Sequence, residues 1–301
     1  MLWLLVTILA YLFLALTSLA DRYLLAGPLP DPKSYAFYVN ILGIFAILIL
    51  PFGVKIPSFY QILLSFSVGI IWAIATVLLY RAILQSEASK IVPAIGGFVP
   101  ILTLVISKIF FKGAPGISFF EIFALAFLIL GSVLVTLERE KTITKRDLKA
   151  SFWVALLFSL GFVLMKVVYV NQSLLSGFIL MKLGGGIGAL CLLIFPQVRS
   201  TVFVKKSIEK TQISLPFLLG QVFGGVGSAL QNVAIFLVKP NQVPIINALE
   251  GIKYIFLLGF IFVLAKKYPQ ILKEETSKKA IFQKLLAVLF IGIGLVLLAL
   301  K

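Results

Sequence analysis

Apolar runs about as long as a membrane-crossing helix recur along the chain, separated by short clusters of Lys, Arg, Asp, Glu and Pro. A helix rises 1.5 Å per residue, so crossing the hydrocarbon core of a bilayer takes roughly 20 apolar residues. The pattern predicts ten such segments, over 2–20, 34–54, 60–80, 88–111, 117–137, 149–170, 174–196, 213–238, 242–265 and 280–300. The runs are continuous and of helix length, which argues for helices over the short alternating strands of a β-barrel. The expected fold is therefore an all-α polytopic membrane protein. Hydrophilic stretches over 138–149, 199–212 and 266–279 are loop-sized, leaving little chain for a soluble domain. The first segment lacks a basic start and a convincing small-residue cleavage site before Asp21 and Arg22, so it reads as a permanent helix.

The pattern also repeats. A shift of 150 residues lays Trp3 on Trp153, Leu14 on Leu164, Asp21 on Asn171 and Gly27 on Gly177. The second pair of segments registers at 145 (Gly43 on Gly188, Pro51 on Pro196), and the third and fourth near 152 (Ala82 and Ile83 on Ala234 and Ile235). The fifth registers at 163, with Gly131, Val133, Leu134 and Leu137 on Gly294, Val296, Leu297 and Leu300. The shift changes only between segments, where a loop absorbs an insertion. Two copies of five helices, over 1–140 and 147–301, are expected. An odd number of crossings per copy inverts the second, as in many secondary transporters.

Composition agrees with the membrane reading: 61% of the 301 residues are hydrophobic, 13% are charged, and mean hydropathy is +1.12. The net charge of +16 is distributed as a topology signal. Of 27 Lys and Arg, 19 fall at the odd-numbered connections, five at the opposite face, and Lys166, Lys182 and Lys253 within segments. Positive residues gather on cytoplasmic loops, so the odd connections are expected inside and both termini outside. The same loops would attract anionic headgroups, and nucleic acid is not an expected partner. One cysteine, Cys191, excludes an intrachain disulfide.

Polar groups at membrane depth are the candidate chemistry, because each is costly there. Glu250 and Lys253 are three apart in the ninth segment, with Asn247 one turn earlier. Spacing of that kind puts them on one face, as an internal ion pair or as a substrate or proton site. Lys166 lies near the end of the sixth segment, within snorkelling reach of the interface, whereas Lys182 lies roughly 12 Å into the seventh. Gln221, Ser228 and Asn232 share a face of the eighth segment with Gln231 beside it, and Asn40 and Tyr38 are weaker candidates in the first half. Such amides also bind helices to one another. Three lysines against one glutamate favour an anionic or zwitterionic solute. Gly184 and Gly188, like Gly220 and Gly224, have the spacing that lets helices approach closely, and no nucleotide-loop motif is present. Pro93, Pro100 and Pro244 are expected to weaken the helical ladder of the fourth and ninth segments. Arg81 and Glu87 mark a loop, and Glu121 caps the fifth segment.

The run from Tyr80, Arg81, Ala82, Ile83 and Leu84 through Glu87, Ala88 and Ser89 to Pro93 and Pro100 resembles the junction of the third and fourth helices in the EamA family of the drug/metabolite transporter superfamily. The resemblance covers essentially the whole chain. It departs where these proteins often carry a Gly-Glu pair, since this chain reads Phe111, Lys112, Gly113, Ala114 and Ala265, Lys266, Lys267, Tyr268. The resemblance implies ten helices in two inverted copies, transport of a small metabolite, and no ATPase domain; many members are thought to hold both termini inside, opposite to the charge count. The expected activity is secondary transport of a small polar, amino-acid-like solute by alternating access, in the cell membrane. A flippase for a lipid-linked sugar, or a nucleotide-sugar-type carrier of the same fold, is the alternative. Partners are then the small-molecule substrate, with proton coupling left open, and membrane lipid. No cofactor or metal is expected. The absence of His removes His-based triads and the usual zinc sites, which argues against a membrane enzyme.

Overall fold

A computed structural model describes residues 2–26, 31–52, 56–86, 88–113, 116–137, 143–203, 210–264 and 278–299. Among them are only helices and their connections: α1 Leu2–Ala26, α2 Pro32–Ile41, the 3₁₀ run η1 Leu42–Phe52, α3 Phe59–Ser86, α4 Ala88–Phe110, α5 Phe119–Thr136, α6 Lys145–Asn171 and α7 Leu174–Leu192. The short α8 Pro196–Phe203 follows, then α9 Lys210–Leu237, the 3₁₀ turn η2 Pro240–Gln242, α10 Val243–Ala248, α11 Gly251–Leu264 and α12 Lys278–Ala299. Nine stretches of the described residues are long and apolar enough to cross a membrane, which fits a polytopic membrane protein. The predicted segment 34–54 instead divides into α2 and η1. Glu87 and, of the predicted loops, residues 138–142, 204–209 and 266–277 lie outside the described residues.

Helix starts follow local chemistry. Ser118 with Glu121, and Thr144 with Asp147, form reciprocal capping boxes on α5 and α6, while Asp31 and Ser173 cap α2 and α7. Glu121 thus caps as expected, and also accepts a 3.0 Å hydrogen bond from Gln242. The outward surface is apolar, with Leu2, Leu5, Leu9, Phe119, Phe120 and Leu285 all exposed. Hydroxyls such as those of Thr7, Thr17, Ser67 and Thr76 fold back onto the carbonyl four residues earlier, so their donors are satisfied within the helix.

Small residues set the closest contacts. Along α1 and α9, a Cβ at Gly220 would stand 2.7 Å from Ala20 Cβ, and one at Gly227 would stand 2.9 Å from Leu14 Cγ. The helices α5 and α12 meet reciprocally: Gly131 faces Ala287 and Ile291, and Gly294 faces Ala124 and Leu128. Each of those three pairs of positions (Ala124 and Ala287, Leu128 and Ile291, Gly131 and Gly294) differs by the same shift of 163. Buried Ser151 and Ser159 on α6 donate to the carbonyls of Ile91 and Val99 on α4, stitching those helices at an eight-residue interval.

The helix α4 runs through Pro93 and Pro100, each of which lacks the N–H of a ladder bond, without a break. The ninth segment does break, five residues after Pro244. Pro244 sits in the first turn of α10, where its missing N–H is not needed. The break falls at Leu249 and Glu250, where the Glu250 N–H turns to the Asn247 carbonyl at 3.1 Å and the ladder tightens to three-residue spacing. The Ile246 carbonyl, which Glu250 would have bonded in a regular helix, accepts the Tyr11 hydroxyl at 2.8 Å instead.

Candidate functional site

A cavity of about 450 Å³ opens between α1, α2 with η1, α3, α7 and α9. Its volume suits a metabolite-sized ligand. Apolar walls come from Leu14, Phe45, Trp72 and Phe178. The polar lining brings together four of the residues expected from sequence: Asn40, Lys182, Gln221 and Asn232. Ser228 and Gln231 join them, as the shared face of the eighth segment requires.

The lining is held in place by its own hydrogen bonds. Lys182 donates to Ser228 Oγ at 2.8 Å and stands 5.5 Å from the centre of the Phe178 ring. Asn232 accepts from the Tyr169 hydroxyl at 2.6 Å and donates to the Ser228 carbonyl at 2.8 Å. Asn40 donates to the Ala36 carbonyl at 2.9 Å. Sequence reasoning missed Asp21, which also lines the cavity and accepts the Tyr35 hydroxyl. The Tyr35 ring packs on Tyr80, centroid to centroid at 5.1 Å, and both tyrosines are buried. Asp21 was set at the end of the first segment because hydropathy falls there, yet α1 continues to Ala26. A carboxylate directly after an apolar run was the available signal.

The remaining candidates lie elsewhere. Lys166 is buried and donates to the carbonyls of Ile235 and Phe236, both at 3.0 Å. It neutralises the C-terminal end of α9, where helical carbonyls lack partners, and is not part of the cavity lining. Asn247 donates to Thr103 at 2.8 Å and ties α10 to α4. Glu250 and Lys253 form an ion pair beside the break, with Tyr254 against both. They do not line the cavity.

The two sides of the cavity differ in closure. On one, α3 and α7 touch backbone to backbone: a Cβ at Gly69 would overlap the Met181 carbonyl oxygen, and one at Gly184 would stand 2.6 Å from Phe66 Cα. Gln172 bonds across this seam to the Gln61 carbonyl and Ser65, each at 2.9 Å. On the other, α2 and η1 face α9 through the rings of Tyr38 and Phe217, 6.2 Å apart, and a Cβ at Gly225 would meet nothing within 4 Å. The η1 run leans on α7, where Gly43 brings the backbone against the Lys182 carbonyl. An 11-residue 3₁₀ stretch is long for that conformation, and such stretches often mark hinges.

One of 25 matching solved chains, a crystal structure of a protein, superposes on this one with a TM-score of 0.65 over 98% of each chain. The two are 14% identical, so the likeness is one of fold. No family model and no curated protein matches the chain.

Proposed function

We propose that this chain is a secondary transporter of small polar metabolites, working by alternating access. The observation that carries the reading is the polar, partly open cavity within an otherwise apolar helical assembly, closed along α3 and α7 and loosely bounded along α2, η1 and α9. Half-buried Asp21 and Lys182 line it, and charged groups at membrane depth are characteristic of solute and ion pathways. The two halves, 1–140 and 147–301, are inverted copies of five helices, as in the EamA family that the sequence resembles. The reciprocal contact of α5 and α12 supports this, since a twofold relation makes position i meet j while the counterpart of j meets that of i. Counting α2 with η1 as one crossing gives ten. Alternating access then follows from the copies exchanging conformations, so that the seam closed on one side opens as the other closes. The basic odd-numbered loops support an orientation with those loops in the cytoplasm and both termini outside.

The test uses the full chain with Cys191→Ser and Gln231→Cys, reconstituted in vesicles. Reaction of the new thiol with a water-soluble maleimide, together with block of solute uptake on labelling, is the expected outcome. A thiol at 231 that no water-soluble reagent reaches would contradict a solvated pathway.

A further inference from the structure

We infer that the cavity selects a zwitterion, holding its ammonium at Asp21 and its carboxylate at Lys182. This rests on the transport reading and narrows its substrate. The charged groups lining the cavity are one carboxylate and one ammonium, placed on different helices, α1 and α7. Of the three lysines within the predicted segments, Lys182 is the one in this lining. Lys166 is spent on the end of α9, and Lys253 is compensated by Glu250 outside the lining.

Each of the two charges is partly coordinated. The Tyr35 hydroxyl donates to one Asp21 oxygen, and a carboxylate has a second. Ser228 takes one Lys182 proton, and an ammonium carries three. The Tyr35 and Tyr80 pair behind Asp21, and the Phe178 ring beside Lys182, lower the local dielectric and strengthen both attractions. A simple anion would gain from Lys182 and be repelled by Asp21. A simple cation would meet the reverse. A ligand carrying both charges satisfies both groups, which is discrimination by repulsion as well as attraction. Gln221 and Gln231 offer neutral donors and acceptors in the same lining.

The experiment measures thermal stabilisation of the detergent-solubilised full chain by the free amino acids with uncharged side chains, by their α-amides in the protonated form, which are cations, and by their N-acetyl derivatives, which are anions. The expected result is stabilisation by one or more free amino acids and by neither singly charged derivative of the same compound. Asp21→Asn should weaken the zwitterion about tenfold or more and admit the N-acetyl form; Lys182→Gln should weaken it similarly and admit the amide. The inference is overturned if only singly charged compounds bind, if no compound on the panel binds, or if both variants leave the selectivity unchanged. Each of those results leaves the transport reading standing whenever the thiol at 231 is reactive and its labelling blocks uptake. An inert thiol there removes both.

Discussion

The seam between α3 and α7 and the gap between α2 with η1 and α9 are built from similar materials and packed differently. Gly69 and Gly184 let two backbones touch in the first, and Gln172 crosses it. In the second, Gly225 has open space beside it and aromatic rings make the contact. Under the proposed repeat, shifts of 152 and 145 would carry Gly69 to Gln221 and Gly184 to Val39, and both of those residues line the cavity. The difference shows that glycines permit close contact without enforcing it: Gly69 and Gly184 sit in a tight seam that Gln172 bridges, whereas Gly225 sits beside open space.

The largest effect should come from filling the closed seam. Gly69→Leu has no space against the α7 backbone, and overpacking of this kind costs about 3 kcal/mol or more, read as a lower unfolding temperature in detergent. Gly225→Leu on the open side should change stability by less than about 1 kcal/mol while lowering uptake, because its side chain enters the cavity. Equal destabilisation by the two would erase the proposed asymmetry.

Next, Glu250→Gln or Lys253→Met alone should each cost about 2–3 kcal/mol by stranding the partner's charge, and the double variant less than the sum. Additive losses would show that the pair does not act as a unit. Lys166→Met should lose about 1.5–3 kcal/mol by freeing two carbonyls at the end of α9, with KM for uptake unchanged because the residue lies outside the cavity lining. A raised KM with normal stability would return Lys166 to the site. The smallest effect belongs to Tyr11→Phe, about 1 kcal/mol for the one bond to the Ile246 carbonyl at the break.

The long helices were legible because lipid requires apolar length, and length survives in sequence whatever the packing. Gly184 and Gly188 were legible as contact residues for the same reason, since their spacing is local. The amide face of α9 was visible too, and Gln221, Ser228 and Asn232 do share the cavity. What stayed hidden depends on distant partners. Asp21 continues a helix past its apolar run because Tyr35 and the cavity receive its side chain. At the break after Ala248, the freed Ile246 carbonyl is taken up by a tyrosine 235 residues away. Lys166, which the sequence puts within snorkelling reach of the interface, instead meets two carbonyls of α9 that nothing in the chain announces. The 3₁₀ run is as apolar as an α-helix, so hydropathy does not distinguish them.

The most direct measurement is pulsed electron resonance on the chain lacking Cys191, with spin labels at positions 63 and 175 to report the α3 and α7 side, and separately at 33 and 215 to report the α2 and α9 side. The account predicts two distance populations for each pair in lipid, with the populations moving in opposite directions when a transported solute is added. A single unchanging distance in both pairs, or two pairs that widen together, would contradict it.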